Sequence, residues 1–197
     1  MPNNFGQAYA LTVLSPVIAG HTRGSVNATL IRAALNRVLH GAESPLARIT
    51  TLHFARFLVL NDVRIEGAPA REDHLRSKYL VFVADFDGEL TPFLDTLLAE
   101  AAPFVTSLWQ HCEAFPGTQD RAAFLAYIQR CQITSTFPFG AYADTPLSGV
   151  LRALHTQRRL IEFLKTAQGS PPEVLQRAFQ GMVTELRNAP LPAPGTI

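Results

Sequence analysis

The sequence predicts an α+β domain, with an antiparallel sheet laid down in βαββαβ order and three further helices after it. Two observations lead there. Apolar runs with period-two alternation recur at residues 8–15, 49–60 and 78–86, as in half-buried strands. Stretches with apolar residues at helical spacing separate and follow them, punctuated by Pro, Gly and Asp.

AYALTVLS (8–15) is the first strand and stops at Pro16. A turn follows over Gly20–Gly24. Val26, Leu30, Ala34 and Val38 then fall on one side of a helix, with Gly41 suited to the left-handed position just past its end. ITTLHFARFLVL (49–60) is the second strand. Simple alternation puts Leu52, Phe54, Arg56, Leu58 and Leu60 on one face and His53, Ala55, Phe57 and Val59 on the other. The polar stretch 61–78 reads as a long hairpin connection into KYLVFVADF (78–86), the third strand.

Thr91 and Pro92 open a second helix through FLDTLLAEAA, with Pro103 as a break or kink. LWQHCEAF (108–115) is the fourth strand candidate, ended by Pro116 and Gly117. Three amphipathic helices follow: DRAAFLAYIQRC, residues 147–165, and one opened by Ser170, Pro171 and Glu173 as a capping box. The expected organisation is a unit over 1–117, a helical extension over 118–188 packed on it, and a flexible Pro-rich tail over 189–197. The βαββαβ order is that of a ferredoxin-like unit, whose two helices cover one sheet face and leave the other open or covered by something else.

The chain has 197 residues, is 47% hydrophobic and 17% charged, and carries a formal charge of +1. Such a balance excludes disorder and gives no electrostatic case for nucleic acid, a membrane surface or an acidic partner. The first twenty residues lack the basic region of a secretory signal, and no run approaches the ~18 apolar residues of a membrane span. With only Cys112 and Cys131, no disulfide scaffold is indicated, and a cytoplasmic location is expected.

Several residues could carry chemistry. His53, Asp85 and His111 are expected on the faces opposite the Leu/Phe-rich positions of their strands, with Tyr9 and Trp109 nearby. Imidazoles and a carboxylate converging on an aromatic surface could move a proton or ligate a metal or haem; each His could equally make one hydrogen bond at a contact. Arg56 is either a snorkelling side chain or a clamp for a ligand carboxylate. Asp85 and Asp87 precede Gly88 at a spacing that resembles a cation loop, but the later ligands of such a loop are missing, so a strand-to-helix turn is favoured. TSTFPFGAYADTP (134–146) holds Phe137, Phe139 and Tyr142, too many aromatics to leave in water without a role as a core plug, a subunit contact or a lid. Arg152, His155, Arg158, Arg159 and Lys165 give the long helix a solvated basic side. Phosphate-binding, dinucleotide-binding, nucleophile-elbow and zinc-protease motifs are absent from the sequence.

The βαββαβ layout with HFARFLVLND, FVADFDGEL and LWQHCEAFPG resembles the ferredoxin-like dimeric α/β-barrel superfamily, which includes cofactor-free monooxygenases, chlorite dismutases and dye-decolourising peroxidases. ADFDG is similar to the G-x-x-D-G motif of the last group, with Ala84 where that motif has its first glycine and Asp87 at its aspartate. The resemblance implies a homo-oligomeric oxidoreductase or ligand-binding protein acting on a small apolar or aromatic molecule at the open sheet face. Haem is one cofactor it admits, with His53 and His111 as candidate ligands and Arg56, Tyr9, Phe137 and Tyr142 around the ligand. The other reading is a non-catalytic interaction module whose sheet face and aromatic loop bury a partner or second subunit.

Overall fold

A computed structural model describes residues 3–22, 25–62 and 75–196. The fold is mixed α+β. In chain order, its elements are β1 (Asn4–Phe5), β2 (Ala8–Pro16), β3 (His21–Thr22), β4 (Ser25–Val26), α1 (Asn27–Leu35), β5 (Leu52–Leu60), β6 (Tyr79–Asp87), α2 (Leu90–Trp109), α3 (Arg121–Cys131), β7 (Gln132–Ile133), α4 (Leu147–Thr166) and α5 (Pro172–Asn188). A five-stranded antiparallel sheet runs in the order β1-β2-β6-β5, and β7 pairs with β2. Of the long connection over 61–78 and the turn over 20–24, residues 63–74 and 23–24 lie outside the described residues.

Register assigns the two faces of the sheet. Val13, Phe82 and Phe57 lie across from one another on neighbouring strands, as do Leu11, Ala84 and Ala55. Leu11, Val13, Phe82, Ala84 and Phe86 are fully buried against α1, α2 and α3, whose Ile31, Phe93, Leu97, Val105, Leu108, Phe124 and Ile128 complete one core. Phe57 stacks on Phe82 at 4.5 Å and meets Trp109 edge-on at 5.9 Å. The opposite face carries Ala10, Thr12 and Leu14 from β2, Val83 and Asp85 from β6, and Phe54, Arg56 and Leu58 from β5. It is largely open: Phe54 is 74% exposed.

The expected fourth strand is not there. Residues 108–109 end α2, and 110–115 form a turn whose only strand-like pairing is a single bridge from Cys112 to Val17. The reason lies in spacing. Ala101, Val105, Leu108 and Trp109 recur at three and four residues, so α2 buries all of them together, and the turn after it buries Cys112, whereas a strand would turn half outward. Trp109 donates its indole N–H to Ser15 Oγ at 3.0 Å inside the core. The edge of β2 is instead occupied by the short β1 and β7. Pro103 does not end α2, which bends at Ala101 (φ −134°, ψ 18°), where the proline ring and missing N–H disturb the preceding turn.

The break at residue 117 does not divide the core, because Phe124, Tyr127 and Ile128 of α3 pack with the sheet. Only α4 and α5 stand apart, as a hairpin with Leu147, Leu151 and Met182 as its buried side chains. The tail runs back over the body: Leu191–Pro194 face Arg48 and Thr50, and Gly195 lies so close to Gly41 that a Cβ there would come within 2.8 Å of the Gly41 carbonyl oxygen. Gly41 starts a 3-10 turn rather than ending α1, which stops at Leu35. No helix among the described residues is long and apolar enough to cross a membrane.

Phe57 is half-buried and Phe82 fully buried. Truncating a core Phe costs ~3–5 kcal/mol through lost burial and the cavity left behind. Phe57→Ala is therefore expected near the lower end, about 3 kcal/mol, and Phe82→Ala near the upper end. Denaturant unfolding of the two variants checks both the size and the order.

Candidate functional site

The site forms where β5 begins and β6 ends. Leu52 pairs with Phe86 and Phe54 pairs with Asp85, so His53 is an extra residue in a β-bulge. The bulge slips the alternation by one. Leu52, which simple alternation places with Phe54 and Arg56, faces the core, and His53 turns to the carboxylates of the open face. The expected separation of His53 from Arg56 by the sheet is thereby overturned: both act electrostatically on Asp85.

His53 Nε2 lies 2.7 Å from Asp87 Oδ1, with both side chains under one-fifth exposed. A carboxylate only accepts, so Nε2 carries the proton of this bond, and in the neutral ring Nδ1 is the acceptor. The other oxygen, Asp87 Oδ2, accepts the backbone N–H of Leu147 at 2.8 Å, the first residue of α4. Pro146, before that helix, offers no side-chain cap, so Asp87 supplies one from the sheet, where a negative charge also suits the helix dipole. One carboxylate thus orients the imidazole and anchors a helix.

A cavity of about 300 Å³ opens beside this pair. Its walls are His53, Phe54 and Asp85 from the sheet, Phe5 from β1, the segment 139–143 and the start of α4. The aromatic segment is tied down at both ends: Ser135 N–H donates to Asn3 Oδ1 at 2.7 Å, and Gln7 N–H to the Ala143 carbonyl at 2.8 Å. Gly6, with φ +63°, lets the segment approach, since a Cβ there would sit 2.6 Å from the Ala143 carbonyl oxygen. Burial pushes the Asp85 carboxyl above its ordinary range, and the nearby His53 and Arg56 oppose that shift.

Of the residues expected at a site, the structure brings together His53, Asp85 and Tyr142, with Arg56 on the same sheet face and near enough to act electrostatically on Asp85. The others fall elsewhere. His111 follows α2 at the opposite end of the sheet. Its carbonyl accepts from Ile18 N–H, and its Nδ1 lies 3.1 Å from Asn27 Oδ1. Eight residue steps along β2 separate the two ends, roughly 26 Å at ~3.3 Å per residue, so the histidines cannot share an ion or a ligand. Burial pulls the His111 imidazole below its usual range. Tyr9 points into the core, stacks on Phe86 at 5.3 Å and accepts from Gln132 Nε2 at 2.6 Å through its hydroxyl. Phe137 is 83% exposed and does not line the cavity.

Haem does not fit these residues. The His53 Nε2 atom is taken by Asp87, and the cavity is at the low end of the ~300–1,000 Å³ typical of small-molecule sites. No group of three His, Cys, Asp or Glu among the described residues could hold a metal ion. Asp87 was expected chiefly as a strand-to-helix turn residue, beside its resemblances to a cation loop and to the aspartate of the G-x-x-D-G motif. Its role was legible in one respect: Asp85 and Asp87, two apart on a strand, must share a face. Its partner Leu147 N–H, sixty residues on, leaves no mark in the sequence.

Two variants separate these roles. Asp87→Ala removes the imidazole's partner and the α4 cap together and is expected to cost about 2 kcal/mol, with Asp87→Asn milder because its amide oxygen can still cap; chemical denaturation reads both. For Asp85, the folded chain holds on to a proton that the unfolded chain has released once pH passes the ordinary carboxylate range. Stability therefore falls as pH rises through that window. Asp85→Asn cannot ionise, so it is expected to melt higher than the parent at neutral pH, with the difference closing below about pH 4.

Comparison with known proteins leaves this geometry to stand by itself: no family model, no curated protein and no solved structure matches the chain.

Proposed function

We propose that the protein binds a small planar aromatic molecule in the cavity at the open sheet face and that His53 takes an acidic O–H or C–H proton from it. The observation that carries this is the chain Leu147 N–H, Asp87, His53, which leaves Nδ1 as an oriented acceptor beside an aromatic-lined space. Proton transfer converts the ligand to its anion and the ring to an imidazolium held by Asp87. Arg56, on the same sheet face, adds positive charge that favours the anion. An electron-rich anion of this kind is what oxygenase-like chemistry without a metal asks of a protein.

The layout supports the same reading. Taken in chain order, the long strands β2, β5 and β6 stand first, third, second across the sheet, the arrangement of a ferredoxin-like unit with short β1 and β7 in place of its fourth strand. A reducing, cytoplasmic setting accords with two free cysteines, one of them, Cys112, buried with its thiol pushed up to about 12.

A second reading, a non-catalytic interaction module, is favoured by the exposure of Phe54, Phe139 and Tyr142, which line the cavity. A panel of phenols and aromatic carboxylic acids, followed by chemical shifts of the His53 ring, distinguishes the two. The expected result is saturable binding that shifts the ring signals. His53→Ala then weakens binding about tenfold to a hundredfold, the loss of a charge-assisted hydrogen bond of ~1.5–3 kcal/mol. Binding equal in parent and His53→Ala, or no binder in the panel, defeats the proton-transfer reading.

A further inference from the structure

We propose that Asp85 is a second catalytic group of the cavity, a carboxylic acid that donates a hydrogen bond to the oxygen of a carbonyl substrate. The substrate class that follows is an aryl-substituted ketone with an acidic C–H beside its carbonyl. The inference rests on the reading of His53 as a base and adds to it the substrate and the reaction. Register sets Asp85 opposite Phe54, next to the bulged His53, and both side chains line the same cavity. The two aspartates of β6 differ in what they meet. Asp87 accepts from His53 Nε2 and from the Leu147 N–H. Asp85 has no hydrogen bond and no ion pair among the described residues; His53 and Arg56 act on it only through their charge. The cavity around it is otherwise walled mainly by apolar side chains, Phe5, Phe54, Phe139 and Leu147 among them.

A carboxyl with no donor to offset its lost hydration keeps its proton more readily, and the partial burial of Asp85 works in that direction. Once neutral, it donates as well as accepts, and no group among the described residues takes its O–H. A carboxylic acid kept neutral by apolar surroundings is suited to such a role. The cavity then holds an acceptor, His53 Nδ1, and a donor, the Asp85 O–H, on adjacent strands. A phenol offers a single oxygen and leaves one of the two groups without a partner. An enolisable ketone serves both, with an acidic hydrogen on carbon and an oxygen one carbon away. The reaction balances with no oxidant. His53 Nδ1 takes the proton, the C–H electron pair becomes a C=C bond, and the carbonyl π pair moves to oxygen, where the Asp85 O–H stabilises the enolate. The imidazolium then returns a proton to the same carbon or to a conjugated one. Return to the same carbon exchanges the hydrogen with solvent; return to a conjugated one isomerises the substrate. A cavity of about 300 Å³ is small for a ligand site and suits a compact aryl ketone.

The test is hydrogen exchange of phenylacetone, a single ring with an acidic C–H beside a carbonyl, followed by proton NMR in heavy water with the full chain. The parent is expected to speed loss of the benzylic C–H signal in a saturable way. His53→Ala should slow it about a hundredfold or more, as for the loss of a general base. Asp85→Ala should slow it about a hundredfold to a thousandfold, as for one missing oxyanion donor. Asp85→Asn, whose amide N–H still donates, should fall only about tenfold. An Asn variant as slow as the Ala variant would make the group a base rather than a donor, and an Ala variant as fast as the parent would remove Asp85 from the chemistry. Either result overturns the proposal, as does a parent that leaves phenylacetone unexchanged. In that last case the His53 reading still stands if phenols shift the ring signals, and both fall together if nothing in the panel binds.

Discussion

The carboxylate of Asp87 is the constraint on which the candidate site depends. It ends β6, and its two oxygens point to two segments that the chain separates widely, His53 at the start of β5 and Leu147 at the start of α4. Neither segment is well specified alone. His53 sits at a bulge, where strand register is least determined, and α4 follows a proline that cannot cap it with a side chain. A buried carboxylate that lost either donor would leave an oxygen without a partner, which costs more than a typical hydrogen bond returns. The two contacts therefore support each other, and the aromatic segment between Ser135 and Asp144 is held over the sheet because its far end is fixed by α4.

The bulge explains how a strand can be both core and site. Phe57 and Val59 keep ordinary alternation and pack inward, while one inserted residue turns His53 outward and Leu52 inward. Without it, the imidazole would enter the Leu- and Phe-lined core, where an unpaired polar ring is penalised. Asp85 occupies the neighbouring outward position, and the surrounding apolar groups raise its carboxyl. Two carboxylates two residues apart thus differ in role: Asp87 is engaged by two donors, and Asp85 faces the cavity.

Much of this was legible in the sequence, for identifiable reasons. The strands β2, β5 and β6 follow from period-two alternation bounded by Pro16, Asn61 and Gly88, and α4 and α5 from long apolar stripes. The open sheet face follows from Arg56, which could not sit in a dry core. LWQHCEAF misled because Leu108, Gln110 and Cys112 alternate as in a strand over a window too short to reveal the helical spacing back to Ala101. His53 was identified as a residue needing explanation, yet its face was misassigned, since a bulge depends on pairing with β6 and has no local signal. Tyr9 and His111 failed as site residues for a related reason. Their surroundings are set by β7, α1 and the end of α2, contacts made between distant parts of the chain.

The site rests on the first turns of α4. Val150 lines the cavity one turn after the N–H that Asp87 holds. Any displacement of α4 along or about its axis would move Val150 relative to His53 and Asp85 and would strain the Asp87 contact. The far half of α4 is held by α5 instead, through Arg159 to Glu185 at 2.7 Å and Phe163 against Phe179.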